Sequence, residues 1–519
     1  MAQTKEKKSL SLNEWTVLLL GIAFVFGILV RFFPGFQAGF PPNDGGMFLS
    51  MIEDLSESHY ALPQFTSYNH LQIPYAYPPF GFYLARFLSD MFHIPGLELI
   101  RWLPPLVNSL SILAFYLLSS ELLKSKPLGA LASTFYALTP GAFGWFVMGG
   151  GLTRSFGSLF LLLSAFAVYR LFLGERRIHY IAASILFCGL AIFSHPEAII
   201  QTAAVCILLW LFYGQSLVTF RDALIVGAGT LIFTSPWWGT ILSYHGLAPF
   251  LSALQTGSYG TSLWNALYKM IFDYEGLLPI LPLLRVIGIS YGLMKKRFFL
   301  VSWTILPYLV DPRNAPSVAY YPLTMLVALA LAEAIPMLVS RVRNRQPIIT
   351  LSELYKSNAY NSIIFILFIY LFVESGLYGF RLVNTTLQPA EIQAMTWIKE
   401  NTPQDGVFLP LTGGQTPEGD PFVEWFPALT GRRSQSTIQG SEWLLGAEFF
   451  VRYANLGRLQ QCESVACVEA WSVGTKLEYQ YIVIAKNDVA DALVRSFRDD
   501  TAYTSIYSTD DVEVYKLEK

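Results

Sequence analysis

The sequence predicts a polytopic α-helical membrane protein with about eleven transmembrane helices and a C-terminal extracytoplasmic α/β domain. Three observations carry this. Of 519 residues, 53% are apolar and only 14% charged, whereas soluble domains carry about 25% charged residues. Apolar stretches near the ~20 residues that a bilayer core demands recur along most of the chain. Charge density also rises abruptly after Arg381: residues 382–519 hold 19 acidic and 11 basic side chains, net −8 against +6 for residues 1–381. A membrane domain over 1–381 and a soluble domain over 382–519 follow. The total charge of −2, with no Lys- or Arg-rich tract interleaved with aromatics, excludes nucleic acid as a partner.

Taken in order, the expected spans are 14–33, 97–122, 128–148, 155–173, 178–194, 198–213, 223–242, 276–293, 298–310, 318–339 and 360–380. The first is read as uncleaved, because the GFQAGF after it is no small-residue cleavage site. Basic residues occupy every second loop: Lys5, Lys7 and Lys8, then Lys124 and Lys126, Arg176 and Arg177, Arg221, Lys295-Lys296-Arg297, and Arg341, Arg343 and Arg345. The positive-inside rule then sets the chain in the cell's cytoplasmic membrane with its N-terminus in the cytoplasm and its C-terminal domain outside. Trp237 and Trp238 are expected as interfacial anchors.

This topology sorts the unusual residues. Asp44, Glu53, Asp54, His59, Arg86, Arg101, Arg154, His195, Glu197, Asp311 and Arg313 all fall in outer loops or at outer span ends, while the cytoplasmic loops hold little but Lys and Arg. Ionisable groups in or beside a bilayer persist where they pair, meet water or act on a ligand. The outer loop 34–96 is long enough to be functional rather than a spacer. Its first half, PPNDGGMFLSMIEDL, breaks at Pro41-Pro42, turns at Asn43-Asp44-Gly45-Gly46, and then places Met47, Phe48, Met51, Ile52 and Leu55 at helical spacing. Its second half repeats the plan after Pro78-Pro79, so two interfacial helices are expected.

A basic-tailed span, a long outer loop with an early Asp leading an amphipathic helix, then Tyr77-Pro78-Pro79-Phe80-Gly81-Phe82-Tyr83 and Arg101-Trp102-Leu103-Pro104 together resemble the GT-C superfamily of membrane glycosyltransferases. These include aminoarabinose, protein O-mannosyl and oligosaccharyl transferases. The likeness is detailed over residues 10–175 and beyond that rests mainly on span count. It implies an inverting sugar transfer from a polyprenyl-phosphate-linked donor to an extracytoplasmic glycan, lipid or protein acceptor, in contact with membrane lipid. It also implies that Asp44, by position, is the catalytic base. The family often places a second acidic residue beside that Asp, but Gly45 stands here, which leaves Glu53 and Asp54, with His59, as the candidates for acidic assistance or substrate contact. No cofactor is implied either, and a divalent metal stays open. Trp397-Ile398-Lys399-Glu400-Asn401-Thr402-Pro403 resembles the lead into the soluble domain of oligosaccharyltransferases. Their WWDYG motif is missing, with Pro410-Leu411-Thr412-Gly413-Gly414 near its place, so peptide-sequon glycosylation is not expected.

Transfer from a lipid phosphate needs a carboxylate to take the acceptor proton and a cation for the departing phosphate. Asp44 suits the first role, although Asn-Asp-Gly-Gly also makes an Asx turn or helix cap. Arg313, in the proline-broken turn Asp311-Pro312-Arg313-Asn314-Ala315-Pro316, suits the second, with pairing to Asp311 or lipid headgroup contact as its plain alternative. Arg154, after Gly149-Gly150-Gly151, either contacts donor phosphate or packs a helix end. His195-Pro196-Glu197 is read as a capped turn facing the cavity, with metal binding or proton relay as the sharper reading. His59, Arg86 and Arg101 fit pairing or headgroups. Tyr77, with Tyr68, Tyr75 and Tyr83, suits sugar stacking or an interfacial belt equally. A transporter or flippase of lipid-linked glycans is the alternative function; it predicts midplane polar groups and often an internal repeat, and neither is visible. A membrane-anchored binding protein that works through its outer domain is a third.

The outer domain should contain a helix at 390–401, a strand at 407–411, a long helix at 441–461, a strand at 481–486, a helix at 488–498 and a hairpin of 503–507 with 512–517. Residues 424–433 are expected to pack within it, with an acceptor-facing loop as the other reading. Cys462 and Cys467 lie outside and can form a disulfide; Cys188 and Cys206 lie in spans.

Overall fold

The computed structural model describes residues 10–174, 177–256, 263–272, 276–343, 350–414, 416–486 and 489–518. Lys5, Lys7, Lys8, Arg176, Arg345 and Asp488 lie outside the described residues. Helix α1 (Leu12–Ala38) starts in a capping box, where the Ser11 hydroxyl accepts the Glu14 N–H and the Glu14 carboxylate accepts the Ser11 N–H. The long loop then carries α2 (Gly46–Glu57), a small ribbon of β1 (Phe65–Thr66) and β2 (Ile73–Pro74), and α3 (Phe80–Phe92). Both expected amphipathic helices are present.

The bundle continues with α4 (Gly96–Leu122), α5 (Lys126–Leu138), α6 (Gly151–Phe172), α7 (Arg177–Ser194), α8 (Pro196–Tyr213) and α9 (Leu217–His245). Two short helices follow, α10 (Ala248–Thr256) and α11 (Leu263–Phe272), then α12 (Ile280–Met294) and α13 (Phe298–Val310). Helix α14 (Ala315–Leu329) runs through a π turn into α15 (Ile335–Val342), and α16 (Leu351–Lys356) leads into α17 (Asn358–Val383). Helices stand at all eleven expected spans, although the one expected over 128–148 stops at Leu138 and continues only as two 3-10 turns, and among the described residues only eight helices are long and apolar enough to cross a membrane. The other three, α5, α12 and α13, have 13, 15 and 13 residues; at 1.5 Å per residue each is shorter than a ~30 Å hydrocarbon core. Trp237 is no surface anchor: it is buried and meets Phe250 edge-on, because α10 folds over the end of α9.

The C-terminal domain is a five-stranded mixed sheet in the order β4-β3-β5-β7-β6. β3 (Val407–Leu411) runs parallel to β4 (Arg433–Ser434) and β5 (Tyr481–Ala485), while β6 (Tyr503–Ser508) and β7 (Val512–Leu517) form the expected hairpin. Alternation sends Phe408, Tyr481, Val483 and Val514 to one face and Leu409, Ile482, Ile484 and Tyr515 to the other. The second face is covered by α20 (Glu448–Leu459), α21 (Val465–Thr475) and α22 (Asp491–Asp499). The first packs through α18 (Pro389–Asn401) and α19 (Pro421–Thr430) onto α2, so one apolar cluster joins the C-terminal domain to the first loop. One correction follows: the helix expected over 441–461 is broken, because Gly446 adopts φ +51° and α20 begins only after it. Residues 424–430 pack, as the favoured reading had it, as part of α19, which Pro421 opens and the Asp420 carboxylate caps at the Val423 N–H. Cys462 and Cys467 are joined in a disulfide.

Candidate active site

Asp44 sits where three chain segments converge. Asn43 at φ +60° and Gly45 at φ +137° turn the backbone sharply on either side of it. The turn is pinned by the Gly149 N–H donating to Pro42 O at 2.9 Å, the Asn43 N–H donating to Thr385 O at 3.2 Å, and the Trp425 indole donating to Asn43 O at 2.8 Å. Asp44 does not cap α2, as its position suggested. Its Oδ1 instead accepts the Gly150 N–H at 2.8 Å, at the N-terminus of α6, and its Oδ2 accepts Arg154 Nη2 at 2.5 Å. The glycines of the 149–151 run make this approach possible. A Cβ on Gly149 would lie 1.7 Å from Asp44 O, and one on Gly150 would lie 2.4 Å from Asp44 Oδ2.

Arg154 is held as firmly as the carboxylate it holds. Its guanidinium lies 3.7 Å from the centre of the Trp145 ring, and Nη1 donates to Trp145 O at 3.3 Å. A carboxylate offers about four lone-pair directions. Two are used, and the Asp44 side chain keeps 19% of its surface accessible, so it can still accept a proton from an approaching hydroxyl. Arg154 was expected at donor phosphate; its nearest anion is Asp44.

Beneath this pair a small cavity of ≈ 20 Å³ enters the bundle between α6, α8 and α14, lined by Arg154, Ser158, His195, Glu197, Gln201 and Tyr321 among others. His195 caps α8 as expected, its Nδ1 accepting the Glu197 N–H at 3.2 Å. Its ring meets Tyr77 edge-on at 5.8 Å, and Tyr77 in turn meets Trp443 of the C-terminal domain at 5.8 Å. Arg313 is exposed in the turn between α13 and α14, with its charge in range of His195, Glu197 and Asp311 and of Glu442 from the C-terminal domain. The fold therefore gathers Asp44, Arg154, Tyr77, His195, Glu197 and Arg313 at the end of the bundle that carries the C-terminal domain.

The other candidates do not join them. Asp54 is buried two turns along α2 and accepts the Ser67 N–H at 3.1 and 3.3 Å, closing the loop after the helix; burial pushes its carboxyl up from the ordinary range. Glu53 is exposed, and His59 is exposed beyond the end of α2. Arg86 pairs with Asp90, while Arg101 donates to Gly35 O and pairs with Glu98. Tyr77 is buried among Phe48, Phe82, His195 and Trp443, and Tyr68 and Tyr75 are buried with their hydroxyls on Glu424 O and Met51 O, so none of the three is a sugar platform. Among the described residues, no three His, Cys, Asp or Glu side chains converge as metal ligands would.

Glu424 escaped the sequence reading as an individual residue. Its Oε2 accepts the Gly46 N–H at 2.9 Å and its Oε1 the Met47 N–H at 3.1 Å, so a carboxylate from α19 caps α2 one residue beyond Asp44 and its flanking Gly45. Burial, reinforced by the charge of Asp44, pushes Glu424 up to about 7 against the pull of these N–H groups. The only signal in the sequence is one acid inside the apolar run Phe422-Val423-Glu424-Trp425-Phe426.

Residues 76–239 match the family described as dolichyl-phosphate-mannose-protein mannosyltransferase. Comparison with curated proteins gives no match. Solved structures that share the fold include the following three. The archaeal oligosaccharyltransferase AglB from Archaeoglobus fulgidus, in complex with an inhibitory peptide and a dolichol-phosphate, is 15% identical with a TM-score of 0.54, covering 91% of this chain and 69% of that one. ArnT from Cupriavidus metallidurans, bound to undecaprenyl phosphate, is 14% identical with a TM-score of 0.53, covering 96% and 97%. The arabinofuranosyltransferase AftD from Mycobacteria is 15% identical with a TM-score of 0.57, covering 99% of this chain and 42% of its own. At these identities the likeness establishes the fold, which is the GT-C fold that the sequence resemblance implied.

Proposed function

We propose that this chain is an integral-membrane glycosyltransferase that moves a sugar from a polyprenyl-phosphate carrier to a hydroxyl-bearing acceptor outside the cytoplasmic membrane. The observation that carries the proposal is the Asp44 carboxylate, fixed by the α6 N-terminus and Arg154, part-exposed, and set beside the cavity that Arg154 lines. The relatives of the same fold support the donor class, since one was solved with undecaprenyl phosphate and another with a dolichol-phosphate.

In this reaction Asp44 takes the acceptor's O–H proton while the acceptor oxygen attacks the anomeric carbon. The bond from that carbon to the phosphate oxygen breaks, and the electron pair leaves with polyprenyl phosphate. Attack from the face opposite the phosphate inverts the anomeric centre. Arg313 balances the leaving phosphate with a planar fork suited to phosphate oxygens. Arg154 holds Asp44 in register and adds to the positive field at the cavity mouth. Charge supports the side of the membrane: Lys124, Arg177, Arg221 and the Lys295-Lys296-Arg297 cluster flank helix ends, and the positive-inside rule favours the cytoplasm for such ends.

The test is purified protein in lipid nanodiscs with radiolabelled undecaprenyl-phosphate sugars and a mixed pool of glycan, lipid and peptide acceptors. Label moving onto an acceptor, with release of undecaprenyl phosphate, is the expected result. In liposomes, movement of intact donor across the bilayer with no transfer to any acceptor would overturn the reading in favour of a flippase.

A further inference from the structure

Asp44 stands in a turn that its own residues do not favour. Asn43 at φ +60° and Gly45 at φ +137° lie in the left-handed half of backbone space on either side of it, and such conformations persist only where the surrounding structure over-determines them. The helical bundle supplies one backbone anchor ahead of Asp44, the Gly149 N–H on Pro42 O. Further anchors come from beyond the last helix of the bundle. Thr385 O accepts the Asn43 N–H, and the Glu424 carboxylate accepts the Gly46 and Met47 N–H groups.

Trp425 on α19 differs from these in touching both sides of Asp44 at once. Its indole N–H donates at 2.8 Å to Asn43 O, the oxygen of the peptide unit that joins Asn43 to Asp44. Its ring lies against Gly45, where a Cβ would stand 2.9 Å from Trp425 Cζ2, and a Cβ on Gly46 would stand 3.0 Å from Trp425 Cα. The side chain has no exposed surface, and Phe40 meets its ring edge-on at 4.8 Å. A buried indole needs some acceptor for its N–H. Here that acceptor belongs to the peptide entering Asp44, so the bond that satisfies Trp425 also fixes the plane of that peptide.

We propose that Trp425 is a positioning residue for the base, holding Asp44 in register from the C-terminal domain through Asn43 and Gly45 rather than through the carboxylate. The proposal rests on the glycosyltransferase reading above. It makes the C-terminal domain part of the catalytic apparatus. The side-chain partners of Asp44, Gly150 and Arg154, come from the bundle, whereas the turn that brings the carboxylate to them is set by α19. Turnover then depends on α19 staying docked, whichever sugar and acceptor are used.

The experiment compares full-length wild type, Trp425→Phe and Trp471→Phe in nanodiscs, each also with Asp44→Asn. Trp471 is the matched control: its indole N–H donates to Asn455 O, also at 2.8 Å, but from α21 on the other face of the sheet. Two readouts are taken, deuterium uptake by the backbone amides of residues 43–47 and the kinetics of transfer. Trp425→Phe should raise uptake at 43–47 while strands β3 and β5 exchange as in wild type. It should lower kcat about tenfold, part of the 10²-fold that a misplacement of about 1 Å can cost, with donor and acceptor KM near wild type. In the Asp44→Asn background the same substitution should cost nothing further, because a residue acting through Asp44 has nothing left to position. Trp471→Phe should change neither readout. Should Trp425→Phe yield too little folded protein, 3-benzothienylalanine at position 425 keeps the bicyclic shape and removes only the N–H. The proposal is overturned by wild-type uptake at 43–47, by wild-type kcat, or by an equal loss of rate with and without the Asp44 carboxylate. Raised uptake at 43–47 in a protein that transfers nothing would uphold the clamp and refute the glycosyl transfer it serves, so the two claims fail separately.

Discussion

Two aspartates, one just before an amphipathic helix and one inside it, meet opposite fates. Asp54, inside α2, is buried and turned onto the backbone of its own loop, where Ser67 uses its carboxylate. Asp44, just before α2, ignores its own helix and reaches 106 and 110 residues along the chain to Gly150 and Arg154. It remains part-exposed with two lone-pair directions open, beside the small cavity that Arg154 lines. The difference shows what separates a structural acid from a chemical one in a membrane protein. The first is spent on local backbone, while the second is held in place by distant elements and left with unused capacity.

The contrast breaks most sharply at Gly150. A methyl group there displaces Asp44 Oδ2 and Arg154 Nη2 without straining the backbone, whose φ is −63°. Since a misplacement of about 1 Å can cost 10²-fold, Gly150→Ala should lower turnover about 100-fold while the melting temperature stays near wild type. Arg154→Lys comes next. It keeps the charge but loses the planar stack on Trp145 and the fork between Asp44 and Trp145 O, so kcat should fall about tenfold, with a smaller change in donor KM.

Glu424→Gln sharpens the comparison through pH. The docked carboxyl holds its proton to about pH 7, whereas a solvated Glu releases it near 4.5. Between those values the folded state binds more protons, so this group makes stability fall as pH rises through the window, with the full penalty present above about 7. Wild type should therefore lose more thermal stability between pH 5 and 8 than Glu424→Gln does. Turnover of the variant should stay within a few-fold of wild type, because Gln still accepts one of the two N–H groups at the start of α2. Matching pH profiles of melting temperature for the two proteins would remove Glu424 as a proton-linked clamp.

What could be read from the sequence follows from range. Spans, the two loop helices, the β-hairpin and the capped His195 turn are set by residues within a few turns of one another, and apolar periodicity or proline placement reveals them. Asp44 stood out by its place in a resembled pattern. Its partners did not, because contacts across more than a hundred residues leave no spacing to count. Arg154 was therefore read at donor phosphate or as helix-end packing and not on Asp44, and Glu424 passed as part of a packing segment although it caps α2 from 378 residues away. Glu53 and Asp54 were candidates only because they lie near Asp44 in sequence, and the helix carries them away from it.

The central claim is that Asp44, and not its neighbour on α2, is the base. The direct measurement is single-turnover release of undecaprenyl phosphate by the isosteric variants Asp44→Asn and Asp54→Asn, each checked for a wild-type melting temperature. Positioned general-base catalysis contributes about 10²–10⁴-fold. Asp44→Asn should therefore be slower by at least 100-fold, with Asp54→Asn within a few-fold of wild type. Equal rates for the two variants, or full-rate release by Asp44→Asn, would contradict the account.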